Sequence, residues 1–301
     1  MSRTEIRVRN TLFKVGACQL LVDFIVAVLM AIFQGITEWL PISSEGQLSL
    51  LFVNLYGISE LEAVTLALLL HVGTMISVLW VFRSDFRDMV DVKTKIARVT
   101  LIATLGTAVT AIPIILIFKN FWNTWSEAFP IPPNILFTIF IGILLILTGL
   151  ILANQPEQGI RELNSITQKE AFLLGMAQGI SALPGISRSG MTITILLIIG
   201  LTQREALRVS FIISVPAVLG ATVLEFFLTG FTIHTDALRI GDIIFPYLLL
   251  IFTIILTAII GIVTMKSLLQ LKNVPYDKFC IIFGTSTILL AMLLLIIQVV
   301  V

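Results

Sequence analysis

The fold of this chain is decided by two similar stretches, QGITEWLPISSEG at residues 34–46 and QGISALPGISRSG at residues 178–190. Each stretch interrupts an otherwise apolar run, about 17–57 and 171–201, with a cluster of Pro, Gly and Ser. Such a cluster breaks a helix, so neither run has the pattern of an uninterrupted transmembrane span. A constant offset of 144 residues relates the two stretches, and this predicts a tandem duplication.

The composition places the chain in a membrane. Hydrophobic residues make up 57% of the chain and charged residues 12%, and the mean hydropathy is +1.06. A soluble domain carries about twice this share of charge. The formal net charge of +1 leaves no basic surface that could neutralise phosphates. Membrane lipids are therefore expected as partners, and nucleic acid is not.

Six apolar runs are long enough, at roughly 20 residues, to cross a bilayer. They cover residues 61–82, 99–118, 135–153, 209–229, 243–264 and 279–301. The first three starts recur near the last three at the same offset of 144 residues. The sequence therefore predicts one integral membrane domain over residues 1–301, with internal repeats at about 17–153 and 171–301.

The number of crossings predicts how the repeats are related. If each interrupted segment dips into the membrane and returns, each repeat crosses the membrane three times. An odd number of crossings inverts the second repeat, and the two breaks are then expected to meet near the midplane. The predicted fold is an all-α polytopic membrane protein with six transmembrane helices plus two re-entrant helix pairs in an inverted-topology repeat.

The charge of the loops predicts the orientation. The loops on one side carry twelve of the nineteen Lys and Arg residues. These loops cover residues 83–98, 154–170, 202–208 and 265–278. The positive-inside rule makes this side cytoplasmic, although the basic N-terminal arm does not fit the assignment. Trp122 and Trp125 fall in the opposite loop, 119–134, where interfacial indoles are common.

Four ionisable side chains lie within the apolar stretches: Glu38, Glu45, His71 and Arg188. Ionisable groups at that depth are functional candidates. Glu38 lies one helical turn after Gln34 and directly before the break, where a carboxylate can hold a divalent cation or act as a general base. A structural ion pair with Arg188 is the alternative. His71 is either a hydrogen-bonded packing residue or, if its helix meets the break, a candidate proton carrier.

Arg188 is the centre of a predicted anion cradle at the second break. Its planar fork of donors suits a phosphate. Neighbouring hydroxyls and a flexible backbone come from Ser187, Ser189, Thr192 and Gly185. A helix that restarts near Met191 would point the positive end of its dipole at the same place. Alternatively, these small polar residues only satisfy the broken backbone.

Ser43 and Ser44 at the first break have two interpretations. They are nucleophiles beside Glu38, or they cap the helix that begins near Glu45. Spacing alone does not decide between these interpretations.

These motifs resemble those of the undecaprenyl-diphosphate phosphatase family (the BacA/UppP type). The resemblance extends from about residue 25 to the C-terminus. It rests on QGITEWLPISSEG at 34–46, LPGISRSGMT at 183–192 and TQREALRVSFIISVP at 202–216. The family's first motif, Glu or Gln followed four residues later by Glu, is matched by Gln34 and Glu38. Its second motif, PGxSRSxxT, runs without a mismatch from Pro184 to Thr192.

The resemblance implies a hydrolase that removes the terminal phosphate of a polyprenyl diphosphate with a divalent cation, Mg²⁺ or Ca²⁺. Glu38, Ser44 and Arg188 would be catalytic, and Glu38 and Glu45 would hold the cation. The substrate would be bound by Ser43, Ser187, Ser189, Thr192, Gly185, Gln34, Gln178 and Gln47. The multi-pass protein is expected in the plasma membrane with its active site on the extracytoplasmic side. Whether the protein forms a homodimer is left undecided by the resemblance.

One position departs from the family pattern. The first motif normally continues as SSxGH, with a histidine implicated in catalysis, whereas this chain has SEGQ at residues 44–47. The Gln47 amide cannot accept or shuttle a proton as an imidazole does. The sequence therefore keeps a second hypothesis, a flippase, transporter or binding protein for polyprenyl phosphate lipids that does not hydrolyse them.

Overall fold

The computed structural model describes residues 24–153, 159–229, 244–270 and 276–300, and within them it contains helices and no strand. The helices are α1 (Phe24–Thr37), α2 (Ser44–Tyr56), α3 (Glu60–Val81), α4 (Arg83–Asp88), α5 (Lys95–Glu127), α6 (Pro133–Ala153), α7 (Gln168–Ile180), α8 (Arg188–Ile198), α9 (Gln203–Thr229), α10 (Ile244–Leu268) and α11 (Tyr276–Val300). The N-terminal arm, the repeat ends predicted at 17 and 301 and the predicted loop 230–242 lie outside the described residues.

Six of these helices, α3, α5, α6, α9, α10 and α11, are long and apolar enough to cross a membrane. Each of the six predicted spans is found on one of them, so the chain is a multi-pass membrane protein. An apolar stripe on α10 is exposed at spacings of three and four residues, at Leu248, Ile251, Ile255 and Ile259. Such a stripe on the outer face of a helix is expected to meet lipid.

The predicted loop at 119–134 is wrong in its first half, because α5 continues to Glu127. Trp122 is not in an interfacial loop but is buried on this helix. Its ring centroid lies 5.2 Å from that of Phe137 and 5.3 Å from that of Phe118. Phe118 and Trp122 are one turn apart on the same face, and packing on α6 extends the helix beyond the apolar run. Trp125 follows on the same helix.

Three helices beside the breaks, α2, α7 and α8, are too short to cross a bilayer. The 13 residues of α2 and of α7 extend about 20 Å, against about 30 Å for the hydrocarbon core. α1 and α2 flank the first break, and α7 and α8 flank the second. α2 begins at Ser44 and α8 begins at Arg188, so the helix starts recur at the offset that the sequence motifs show.

Arg161 joins the beginning of α7 to the end of α8. Its guanidinium donates to the carboxylate of Glu170 at 2.8 Å and to the carbonyl of Ile199 at 2.5 Å. The hydrogen bond from Arg161 holds the pKa of Glu170 down, at about 2. Glu170 also forms a capping box with Thr167 at the start of α7. The two ends of the α7–α8 pair therefore lie within reach of one side chain.

Glycine allows α1 and α7 each to lie directly on a long helix from the other half of the chain. On α1, a side-chain carbon at Gly35 would approach Ile260 of α10 to 2.8 Å. The equivalent Gly179 on α7 lies against Thr107 and Thr110 of α5. Only glycine permits such a close approach of two backbones. Each short pair is thus held by helices of both halves, and this arrangement brings the two breaks together.

Candidate active site

The two breaks contact each other through side chains and backbone, as the sequence predicts. Ser43 Oγ, in the first break, accepts a hydrogen bond from the backbone N–H of Gly185, in the second, at 3.1 Å. In the opposite direction, the Ser189 hydroxyl donates to the carbonyl of Leu40 at 3.3 Å. Broken helices leave backbone groups without intrahelical partners. Here a serine of each break supplies a hydrogen-bond partner to a backbone group of the other break. The polar groups between the two breaks define one site.

Equivalent serines cap the helices that restart after each break. Ser43 caps α2 by accepting from Gly46 N–H at 3.4 Å, and Ser187 caps α8 by accepting from Gly190 N–H at 3.2 Å. The capping interpretation therefore applies to Ser43. It does not apply to Ser44, which is the first residue of α2. The Ser44 hydroxyl remains available for another partner.

Ser43 has a left-handed backbone, with φ of 55°, which costs a non-glycine residue about 1–2 kcal/mol. We expect Ser43→Ala to lower the free energy of unfolding by about 1–2 kcal/mol, because both hydrogen bonds to Oγ are lost while the strain remains. Ser43→Gly loses the same bonds but relieves the strain, so its loss should be smaller. Thermal unfolding in detergent measures both.

The matched control for Ser43 is Ser267→Ala, because among the described residues the exposed Ser267 hydroxyl donates to a carbonyl of its own helix, that of Val263. Its melting temperature should equal that of the unmodified protein. A Ser43→Gly protein that melts below Ser43→Ala would contradict this account of Ser43.

Glu38 is the centre of the site, because its carboxylate receives groups from four directions. Its Oε2 accepts from the Ser44 hydroxyl at 2.6 Å and from the Gln34 amide at 3.0 Å. The same oxygen lies 3.1 Å from Nε2 of His71. Its Oε1 accepts from Nη2 of Arg188 at 2.6 Å. Three of these contacts converge on Oε2 and one falls on Oε1, so Oε1 keeps a lone-pair position open.

His71 enters the site from α3, a helix outside both breaks. Its Nδ1 lies 2.9 Å from the carbonyl of Ala67, one turn earlier on the same helix. A carbonyl only accepts, so Nδ1 carries the hydrogen and the ring orientation is fixed. Nε2 then faces Glu38 and is the nitrogen that can gain or lose a proton. The condition set by the sequence, that this helix meets the first break, is fulfilled.

Arg188 has unused donor capacity. Nη2 binds Glu38, whereas Nη1 is buried and has no hydrogen-bond partner among the residues that the structure describes. A buried unpaired donor is unfavourable by about 1–3 kcal/mol. Such a group is expected where a ligand oxygen completes the arrangement.

A small cavity of about 30 Å³ lies between the breaks. Its lining comprises Glu38, Leu40, Ser43, Ser44, Glu45, His71, Ser181, Ile186, Ser187, Arg188 and Ser189. This volume holds about one water molecule, so a diphosphate requires some of the lining groups to move. Seven of the predicted site residues and His71 therefore face one space.

Three predicted substrate ligands point elsewhere. Gln178 donates to Thr107 Oγ1 at 2.9 Å, and Thr192 shares a hydrogen bond of 2.6 Å with Ser210 on α9. Both side chains fix their helices to neighbours and lie outside the cavity lining. Gln47 also lies outside the lining, one turn after Ser44, and its Nε2 is buried without a partner in the described part of the chain.

Two further predicted residues, Gly185 and Gln34, lie beside the cavity without lining it. Gly185 has φ of 106° and donates its N–H to Ser43, so it shapes the second break. Gln34 holds Glu38 from within α1. Sequence reasoning missed Ser181, which lines the cavity while its hydroxyl donates to the carbonyl of Gln178. Ser181 could have been found from the sequence, because it ends the stretch QGIS at 178–181, which repeats QGIT at 34–37.

A second charged cluster lies away from the breaks, at the start of α9. Arg208 forms ion pairs with Asp85 and with Glu205. They line a cavity of about 360 Å³ together with residues of α4, α5 and the segment before α7. Arg208 belongs to the third matching stretch at 202–216. Its position in that stretch is the signal by which the cluster could have been found.

The site residues fit a divalent cation only in part. Within the described residues, no three His, Cys, Asp or Glu side chains form a ready metal site. Mg²⁺ is commonly held by one or two carboxylates together with substrate phosphates. Glu45 lines the cavity and is half-buried, which suits this role. Oε1 of Glu38 meets one donor among the described residues, Arg188, and so has room for a further ligand.

Comparison with known proteins gives a consistent result. The chain matches the family described as Bacitracin resistance protein BacA over residues 27–293. It is 38% identical to an undecaprenyl-diphosphatase of Methanothrix thermoacetophila over 90% of this chain and 98% of that protein. Proteins with the same name from Saccharolobus islandicus and Halothermothrix orenii are 31% and 33% identical. They cover 92% and 88% of this chain and 100% and 96% of their own lengths.

Proposed function

This chain belongs to the bacitracin resistance protein BacA family, and from that premise we propose that it is an undecaprenyl-diphosphatase. It hydrolyses the terminal phosphate of a polyprenyl diphosphate and so recycles the lipid carrier for envelope glycan synthesis. The observation that carries this proposal is the cluster of Ser44, Glu38 and Arg188. It combines a hydroxyl, a carboxylate and a guanidinium within 2.6 Å contacts at one buried site.

Ser44 and Glu38 supply the nucleophile and its base. The Ser44 hydroxyl donates to Glu38 Oε2 at 2.6 Å, which is within the range for proton transfer to a general base. Ser44 Oγ, or a water molecule held beside it, attacks the terminal phosphorus, and its proton passes to Glu38. The bond from phosphorus to the bridging oxygen breaks, and polyprenyl monophosphate leaves. If Ser44 attacks, water then hydrolyses its phosphate ester.

Arg188 binds the transferring phosphate. Its free Nη1 and its Nη2 form a planar fork, which matches two phosphate oxygens. Ser187 caps α8 in the first turn beside it, so the positive end of that helix faces the same place. Phosphoryl transfer requires mainly positioning and neutralisation of charge from the protein. A half-buried guanidinium at a helix N-terminus provides both.

Glu45 and Oε1 of Glu38 would hold the divalent cation, Mg²⁺ or Ca²⁺. The cation supplies additional neutralisation of the phosphate charge. Glu45 is suited to this role because it lines the cavity and lies next to Ser44 in sequence. Its carboxylate would otherwise repel a bound phosphate.

The architecture that fits this function is an inverted repeat with two re-entrant helix pairs. Arg161 supports re-entry of the second pair, because it binds the start of α7 and the end of α8 together. The short length of α2, and the recurrence of helix starts at 144 residues, support the same arrangement for the first pair. Both breaks would then lie near the midplane, open to the extracytoplasmic side of the plasma membrane.

Phosphate release from undecaprenyl diphosphate by the purified protein in detergent tests the function. We expect inorganic phosphate and undecaprenyl monophosphate in equal amounts. Arg188→Lys keeps the charge but loses the paired donors, so its kcat/KM should fall by about tenfold or more. Arg83→Lys is the matched control, because the exposed Arg83 lies outside the cavity lining and, within the described part of the chain, donates to the carbonyl of Trp80; its kcat/KM should be unchanged.

Two outcomes would contradict the proposal. Absence of phosphate release from a folded protein would favour the alternative, a flippase or a binding protein for polyprenyl phosphate lipids. Transfer of labelled polyprenyl phosphate between the leaflets of vesicles would then measure that activity. Near-normal turnover by Arg188→Lys would contradict only the phosphate-binding role of Arg188, and the proposed hydrolysis would stand.

A further inference from the structure

The third matching stretch, residues 202–216, covers the first half of α9 and contributes no side chain to the lining of the cavity between the breaks. Two neighbouring residues of this stretch nevertheless contact the breaks. Ser210 shares its hydrogen bond of 2.6 Å with Thr192 of α8, and both side chains are fully buried. Phe211 packs on Trp39 of the first break. One turn of α9 therefore joins both breaks.

The direction of the hydrogen bond between Ser210 and Thr192 follows from the other contact of Thr192. The Thr192 hydroxyl lies 2.9 Å from the carbonyl of Arg188, which can only accept, so Thr192 donates there. A hydroxyl has a single hydrogen, and Thr192 therefore accepts from Ser210. Ser210 has no other hydrogen-bond partner among the described residues, and a fully buried hydroxyl is expected to have one. A chain of hydrogen bonds thus runs from α9 through Thr192 to Arg188.

This chain ends where the direction of the Arg188 side chain is decided. Arg188 is the first residue of α8, and Thr192 lies one turn after it. The 11 residues of α8 make only about three turns, so a hydrogen bond in the first turn restrains the rotation of the helix about its axis. That rotation determines where the guanidinium points.

Phe211 relates the position of α9 to Glu38. Trp39 directly follows Glu38 and is buried, and the ring of Phe211 meets it edge-on with 5.2 Å between the ring centroids. The Trp39 indole also donates a hydrogen bond to α10. Ser210 and Phe211 are adjacent on one helix. The guanidinium on α8 and the carboxylate of the first break are therefore aligned through the same turn of α9.

We propose that Ser210 is a positioning residue, which acts through Thr192 to hold α8 in the rotation that directs Arg188 at the substrate phosphate. The inference rests on the proposed function and adds to it a residue outside the cavity. A planar fork binds two phosphate oxygens only when its plane is correctly oriented. Order that exists before binding raises affinity, because it need not be imposed on binding. Loss of the Ser210 hydroxyl should therefore weaken diphosphate binding although no charge is removed.

Binding of a methylene-bridged farnesyl diphosphate analogue to the purified protein, measured by titration calorimetry in detergent, tests the proposal without turnover. Ser210→Ala should raise the Kd by about fivefold, the effect of ordering one long side chain. Thr192→Val should raise the Kd by at least this factor. Ser210→Ala should add nothing in the Thr192→Val protein, because both substitutions break the same chain of hydrogen bonds.

Ser214→Ala is the matched control. Ser214 is a buried serine one turn further along α9, and its hydroxyl donates to a carbonyl of its own helix, that of Phe211. Its Kd for the analogue should equal that of the unmodified protein. Thermal unfolding shows whether each variant is folded.

Arg188→Lys separates positioning from a merely structural role of Ser210. An ammonium binds phosphate as a point charge and has no plane to orient, so Ser210→Ala should leave the Kd of the Arg188→Lys protein unchanged. If Ser210→Ala does not fold, Thr192→Val in the same background gives the same comparison. An undiminished effect in the Arg188→Lys protein, a normal Kd in Ser210→Ala, or no binding by the unmodified protein would overturn the proposal. Phosphate release judges the proposed function separately, because binding of the analogue requires no hydrolysis.

Discussion

Replacing Glu38 with glutamine is expected to lower phosphate release by about 10²–10⁴-fold, the range that loss of a general base produces. Glutamine preserves the size of the side chain, but its amide nitrogen cannot accept a hydrogen bond and its oxygen carries no full charge. The Ser44 hydroxyl then has no base at 2.6 Å, and Arg188 loses its anionic partner. Single-turnover phosphate release with purified protein measures the loss.

Glu225→Gln is the matched control for this prediction. Glu225 is also a buried carboxylate in a membrane helix, and Lys119 donates to both of its oxygens at 2.6 Å. It lies outside the lining of the cavity, so its variant should turn over at close to the normal rate. Thermal unfolding in detergent shows whether each variant is folded. Equal losses in both variants, or normal turnover in Glu38→Gln, would remove Glu38 from the chemical step.

Much of the site could be predicted from the sequence because the membrane restricts what can lie inside it. A broken helix in hydrocarbon needs partners for its backbone, and an ionisable side chain there needs a partner for its charge. Two breaks with matching sequences, one holding Glu38 and the other Arg188, therefore had to meet. The structure confirms this contact, and it places Ser44 beside Glu38.

The rotation of each helix about its axis could not be predicted in the same way. Thr192 lies one turn after Arg188, yet its hydroxyl points to Ser210 on α9. Gln178 copies Gln34 in sequence, but no carboxylate stands four residues after it, and it binds Thr107 instead. Repeated sequence thus predicted equivalent positions in the fold. It could not predict equivalent roles, because the partners across the interface differ.

The end of α5 shows a related limit. An apolar run marks the part of a helix that lies in hydrocarbon, whereas the helix itself continues wherever side-chain packing supports it. Trp122 packs on Phe137 of α6. Neither the hydropathy of the apolar run nor the charged residues that flank it indicate that contact. Hydropathy therefore located the six spanning helices of the described residues but placed the end of α5 nine residues too early.

His71 is the residue that we expect to replace the missing family histidine. Gln47 occupies the family's position, one turn after Ser44, and cannot carry a proton. His71 reaches the same carboxylate from α3, with Nε2 at 3.1 Å from Glu38 Oε2. Because Nδ1 donates to Ala67, Nε2 is the ring nitrogen that can exchange a proton with Glu38 when it does not already carry one.

His71→Ala is therefore expected to lower turnover by about 10²–10⁴-fold, and His71→Gln separates the two roles that this residue could have. A glutamine amide can donate to Glu38 as a protonated Nε2 would, but it cannot take up or release a proton. If His71 carries the proton, His71→Gln should be as slow as His71→Ala, and the pH–rate profile of both should lose one limb. Adding Gln47→His to His71→Ala should recover part of the turnover. Near-normal turnover in His71→Gln would show that His71 only positions Glu38, and a silent His71→Ala would exclude it from both roles.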